Sequence, residues 1–334
     1  MKLRACAVRV DETSQSSRKK KSLEMKLSGL HLLLTYQCIL ECDHCFVWGS
    51  PRQTSTMTLQ NIRHILKQAK AIGTIGSIYF EGGEPFLYYP VLLRGVHEAA
   101  SAGFQVGLVT NGYWATDPEV ALEWLRPFVG LIGDLSISSD AYHWIGKLDQ
   151  QAKNAMGAAR KLGIPIGVIS IAQPETGTGA SAVGQLPMGE TTVMYRGRAA
   201  EKLVVHARLK PWEQFTSCPY EDLRDPGRFH VDPLGYVHIC QGISLGNLYH
   251  APLNEICEQF NPDLHPITGP LLKGGPAELV RFHGLSCAES YADACHLCFE
   301  VRRGLRGRFP EILAPDQMYG VKEDQEPGIL NEVI

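Results

Sequence analysis

The sequence predicts an α/β fold built on a parallel sheet covered by helices. Two observations carry this. From about residue 28, short apolar runs alternate with longer amphipathic runs whose apolar residues recur at helical spacing. Five such β–α units follow one another, and strands that alternate with helices assemble a parallel sheet. The alternation alone does not separate a doubly wound sheet from a barrel.

Leu30–Thr35 is short and apolar, so the first strand is expected there. Leu59–Ala71 carries helical periodicity, with Thr58 placed as its N-cap. Ser77–Phe80 is the second expected strand, and Pro90–Ala102 a helix stopped by Gly103. Phe104–Thr110 follows as a strand ending in Asn111-Gly112, a turn pair. Asp117–Leu125 is expected as a helix, Leu131–Ser138 as a strand, and Asp149–Leu162 as a helix ending at Gly163. Ile164–Ile171 is a strand rich in β-branched residues. Gln173–Glu190, rich in Gly, Ser, Thr and Pro, breaks the rhythm and reads as a surface loop or a cap over a site. Thr192–Tyr195 is the expected sixth strand. After Pro211 the pattern becomes irregular and cysteine-containing, as in a second, smaller domain. The expected division is a flexible segment 1–27, a core 28–210, a cysteine-rich domain 211–315 and a flexible tail 316–334.

Composition narrows the class. The 334 residues are 44% hydrophobic with a formal net charge of −3, so nucleic acid and anionic membrane are not expected partners. No apolar run approaches the roughly 18 residues of a membrane span. The basic run Arg18, Lys19, Lys20, Lys21 lacks the apolar block of a secretory signal. Ten cysteines fall mainly in two groups with short internal spacings. In such a chain they read as metal or cluster ligands, and the expected compartment is a reducing cytoplasm.

Cys38, Cys42 and Cys45 form a C-x3-C-x2-C run directly after the first strand. A cubane iron–sulfur cluster normally takes four cysteines, so three leave one iron open to another ligand. The same three with His44 also fit a tetrahedral zinc site. After the second strand comes Gly82-Gly83-Glu84-Pro85. Together the two motifs resemble the radical S-adenosylmethionine (radical SAM) family, and the spacing from Cys45 to Gly82 matches it. The resemblance covers about residues 28–300. It implies a partial (β/α)6 barrel, with active residues at the C-terminal ends of the strands. It further implies a [4Fe-4S] cluster on Cys38, Cys42 and Cys45 that binds S-adenosylmethionine. One-electron reduction then yields a 5′-deoxyadenosyl radical, which takes hydrogen from a substrate. A donor such as flavodoxin or ferredoxin is implied.

In the family, the glycine turn accepts hydrogen bonds from the cofactor's ammonium, which assigns cofactor binding to Gly82, Gly83, Glu84 and Pro85. Ser136-Ile137-Ser138-Ser139-Asp140 resembles the strand end that holds the cofactor's ribose or carboxylate. Ser138 inherits that role; Asp140 either touches substrate or caps the following helix. Asn111 reads as a cofactor or substrate contact, or as a turn residue. Arg196 and Arg198, in Arg196-Gly197-Arg198-Ala199, resemble a Gly-Arg-Ala segment in which arginine clamps a carboxylate, with solvated arginines as the alternative.

Cys218, Gly235-x4-Cys240 and Cys295-His296-Leu297-Cys298 resemble the twitch domain, a shortened SPASM domain carrying one auxiliary [4Fe-4S] cluster. Structural zinc is the alternative. Cys287 is unassigned, either a substitute ligand or a free thiol. An auxiliary cluster fits net two-electron oxidation: cross-linking of a ribosomally made peptide, or dehydrogenation of a small-molecule alcohol or aminocyclitol. The motif dialect favours the peptide, while no leader-binding module is recognised in the chain. A non-catalytic iron–sulfur or zinc protein is the reading from another class. The Gly-Gly-Glu-Pro turn opposes it.

Overall fold

The computed structural model describes residues 26–143, 148–174 and 189–321. The basic run, Cys6, most of the Gln173–Glu190 segment and the tail beyond 321 lie outside the described residues. In chain order the elements are β1 (Gly29–Thr35), α1 (Leu59–Ile72), β2 (Ser77–Gly82), α2 (Tyr89–Ser101), β3 (Gln105–Thr110), α3 (Pro118–Leu125), β4 (Asp134–Ser138), α4 (Leu148–Lys161), β5 (Ile166–Ile171) and β6 (Gly189–Thr191). They continue with α5 (Ala199–Lys202), β7 (Lys210–Pro211), β8 (Arg228–Val231), β9 (Tyr236–Cys240), β10 (Ile243–Asn247), α6 (Leu253–Gln259), α7 (Thr268–His283), β11 (Ser290–Tyr291) and α8 (Ala294–Leu305).

The main sheet among the described residues runs β10-β9-β8-β1-β2-β3-β4-β5-β6. Every pair from β1 to β6 is parallel. A doubly wound sheet reverses its strand order at a switch point. Here the order climbs from β1 to β6 without reversal, the winding of a barrel left open. Local signals explain the helices. The Thr58 side chain accepts from Asn61 N while Asn61 returns a bond to Thr58, a capping box that starts α1. Asp117 accepts from Glu119 N and Val120 N at the start of α3. Leu30, Leu32 and Leu34 of β1, with Ile78 and Phe80 of β2, are fully buried in one core with Ile62 and Ile65 of α1.

Two expectations need correction. The sixth strand is Gly189–Thr191, not Thr192–Tyr195. Its pairing with β5 ends at Ile171↔Thr191, and the chain then crosses toward the cysteine loop. There, Tyr195 N donates to Asp293 and Arg198 N to the carbonyl of Cys45. The fourth strand starts at Asp134, later than Leu131, because Leu131 N and Gly133 N are engaged in the preceding turn and with Val106. After Pro211 the chain returns to the main sheet: β8 pairs parallel with β1, and β9 and β10 extend it antiparallel. Met318 and Tyr319 are buried, so residues 316–321 pack with the body of the protein.

Candidate functional site

A cavity of about 260 Å³ lies at the strand ends. It is lined by Cys38, Cys42 and Cys45 after β1, Gly82 and Gly83 at β2, Asn111 after β3, Ser138 at β4 and Thr191 at β6. Consecutive parallel strands thus deliver their C-terminal ends to one place, as barrel geometry requires.

The cysteine loop is held by its neighbours. Gly83 N donates to Thr35 O and Glu84 N to Gln37 O, which clamps the glycine turn onto the loop's start. A Cβ on Gly83 would stand 2.1 Å from Gln37 O, so only glycine permits this approach. From the opposite side, the buried Arg198 donates to Cys42 O at 2.6 Å and Gly49 O at 2.8 Å. Its guanidinium also stands over Trp48. Gly197 has φ +59°, and a Cβ there would meet Phe46 Cα at 2.4 Å.

The thiols behave as a set. Burial, then the Glu84 carboxylate, pushes the Cys38 thiol up to about 12. Burial, then Cys45 and Cys38, raises Cys42 well above the thiol range. A cationic iron core would relieve both desolvation and mutual repulsion, so these residues fit a cluster. Amide-type donors already face the sulfurs: Leu40 N reaches Cys38 Sγ at 3.4 Å, Asn111 Nδ2 reaches it at 3.6 Å, and Gly49 N reaches Cys45 Sγ at 3.3 Å. His44 groups instead with Asp140 and His143 within metal-ligand distance.

Other expected residues take specific places. Glu84 is fully buried beneath the cavity, accepting from Phe86 N, Thr110 Oγ1 and Asn111 N. Burial raises its carboxyl to about 7 against those three donors. It ties the β2 and β3 turns together, and Pro85 is buried in the short turn that follows. Asn111 acts in the turn, its Oδ1 accepting from Tyr113 N, while its Nδ2 faces Cys38 Sγ. Asp140 accepts from Tyr142 N and His143 N of the turn that follows it and from Ile171 N of β5, and pairs with His143 Nδ1 at 2.7 Å; it does not cap α4, which starts at Leu148.

The second cysteine group also converges. A smaller cavity is lined by Cys218, Cys240, Cys295 and Cys298, together with Arg196, Tyr220, Glu221 and Arg302. Burial, then Cys240 and Cys298, pushes Cys218 up to about 12. Arg196 Nη1 donates to Cys240 Sγ at 3.2 Å, and Arg302 is buried beside Cys298. Cys287 stands elsewhere, in a separate pocket with Tyr291 and Glu300. Arg196, Tyr220 and Glu221 line both cavities, so one polar wall divides the two cysteine sets. Sequence reasoning named Arg196 but missed Tyr220 and Glu221, along with His31, Glu81 and His230 in the first cavity. Polar residues at cavity-facing positions of otherwise apolar strands were the available signal.

Residues 32–176 match the family model of the Radical SAM superfamily. The chain is similar to YydG of Bacillus subtilis (strain 168), named for peptide biosynthesis, with 31% identity over 129 residues, 38% of this chain and 40% of that protein. It is also similar to an S-adenosylmethionine-dependent nucleotide dehydratase of Fibrobacter sp. (strain UWH6), with 28% identity over 36% of each chain. The chain therefore spans less than half the length of these curated relatives. Among solved structures, native anSMEcpe with bound AdoMet superposes with a TM-score of 0.49 and 13% identity, over 89% of this chain and 100% of that one.

Proposed function

This chain belongs to the Radical SAM superfamily through residues 32–176, and from that premise we propose that it oxidises a ribosomally made peptide by hydrogen-atom abstraction. The observation that carries the radical chemistry is the placement of three thiols on one loop facing the strand-end cavity. When bound, a [4Fe-4S] cluster with S-adenosylmethionine supplies reductive sulfonium cleavage and a 5′-deoxyadenosyl radical, and a second cluster supplies an electron acceptor.

The chain's own residues do the rest. Cys38, Cys42 and Cys45 hold the first group, and Arg198 and Gly83 fix the loop that presents them. Gly82, Gly83, Asn111 and Ser138 line the space left for the cofactor. Glu84 acts through the turn that carries Asn111, whose backbone N–H it accepts. Cys218, Cys240, Cys295 and Cys298 hold the second group. Zinc bound by four thiolates at about 2.3 Å would draw the sulfurs to roughly 3.8 Å apart. Among the described residues, neither cysteine set forms a group with all donor atoms within 4.8 Å. This wider spread supports a cluster over a single ion. Arg196, donating to Cys240, offsets thiolate charge on the wall between the two sites.

The peptide substrate is supported by the similarity to YydG. The test is anaerobic reconstitution followed by dithionite-driven turnover with peptides deuterated at carbon. The expected result is 5′-deoxyadenosine carrying deuterium from peptide, and none formed by Cys42→Ala. Unlabelled product with peptides, but label from deuterated nucleotides or aminocyclitols, would overturn the peptide assignment and retain the radical enzyme.

A further inference from the structure

Three side chains outside both cysteine sets converge deeper in the first cavity: His31 on β1, Glu81 on β2 and His230 on β8. The sheet brings them together although 199 positions separate the two histidines. His31 pairs with His230 across β1 and β8. Leu33 pairs with Glu81 across β1 and β2. Residues two apart on a strand share a face, so all three project to the same side.

From this geometry we propose that His31, Glu81 and His230 form a binding site for one divalent transition-metal ion of the zinc class. Glu81 Oε2 lies 3.1 Å from His31 Nδ1, and Oε1 lies 3.3 Å from His230 Nε2. Two ligands bonded at about 2.1 Å and separated by roughly 90–110° stand about 3.0–3.4 Å apart. The three donor atoms all lie within 4.8 Å of one another. They therefore already hold the spacing of a coordination shell. Two imidazoles and one carboxylate with an open side are the donor set of catalytic zinc, and non-haem iron sites share it. All three residues line the cavity, so the remaining positions face it and would take water or a substrate oxygen.

A plain hydrogen-bonded trio explains less. His230 is 6% exposed, and Glu81 Oε1, which stands 3.3 Å from its Nε2, is buried with no hydrogen-bond partner. Among the described residues, no backbone amide reaches the Glu81 carboxylate, unlike that of Asp140, which three backbone amides occupy.

The test uses the reconstituted, cluster-bearing protein, washed with a mild chelator and loaded with zinc. Zinc and iron are counted, and zinc-edge X-ray absorption reads the donor atoms. The expected result is one zinc per chain in a nitrogen and oxygen shell, with no sulfur. Glu81→Gln, which keeps the side-chain shape, should lower zinc affinity at least tenfold, and His31→Ala with His230→Ala should abolish binding. Iron content should stay at the wild-type level in each. A wild-type protein that retains no zinc overturns the proposal, as does a sulfur shell or zinc unchanged in all variants. The readout needs no turnover, so failure of the peptide assignment leaves it intact.

Discussion

Arg198 separates a clamp on the cysteine loop from a clamp on the cofactor. Its two donated bonds end on backbone carbonyls, Cys42 O at 2.6 Å and Gly49 O at 2.8 Å. Hydrogen bonds from a charged donor contribute about 1.5–3 kcal/mol each, so the pair is worth roughly 3–6 kcal/mol. Lysine can keep the charge and one bond but not the fork. Arg198→Lys should therefore cost about half of that sum, roughly 1.5–3 kcal/mol, in urea unfolding of the cluster-free protein. Reconstituted iron should fall with it, because the loop carrying Cys42 and Cys45 loses its brace. S-adenosylmethionine affinity per intact cluster should stay unchanged. Wild-type stability and iron with weakened cofactor binding would refute the reasoning and return Arg198 to a carboxylate-binding role.

Gly83→Ala pushes a methyl to 2.1 Å from Gln37 O, between two backbones that cannot yield; a loss of about 3 kcal/mol in urea unfolding is expected, at the upper end for overpacking. Cys287→Ser should leave iron content unchanged, whereas Cys295→Ser should remove the iron of the second set, as read by iron and sulfide analysis. His265 accepts from Ile267 N and Thr268 N through Nδ1 and must stay neutral to do so. Burial lowers its pKa to about 4. Its contribution is thus full above the unfolded value near 6.5 and is lost as pH falls through about 4. It amounts to at most roughly 3 kcal/mol. Urea midpoints of cluster-free protein between pH 7 and 4 should fall less steeply in His265→Asn.

The strands, helices and cysteine motifs were legible because each is a local pattern. Thr58 caps the helix its spacing predicts, and Asp117 caps α3. The sixth strand was misplaced by three residues because Thr192–Tyr195 has strand-like composition, while β5 pairs with Gly189–Thr191 instead. Composition does not report which carbonyls an edge strand meets. Arg198 and Glu84 were read as facing a ligand because motif resemblance gives position, not direction. Both turn inward and satisfy backbone groups of neighbouring turns. The His31–Glu81–His230 trio was invisible for a related reason: it exists only through pairing of β1 with β8, elements far apart in the chain.

Iron and sulfide counting on the anaerobically reconstituted protein, with 5′-deoxyadenosine measured in the same sample, tests the central claim most directly. About eight irons and eight sulfides per chain, with 5′-deoxyadenosine formed under dithionite, is the expected result for two cubanes and radical chemistry. Four or fewer irons with no 5′-deoxyadenosine would contradict it.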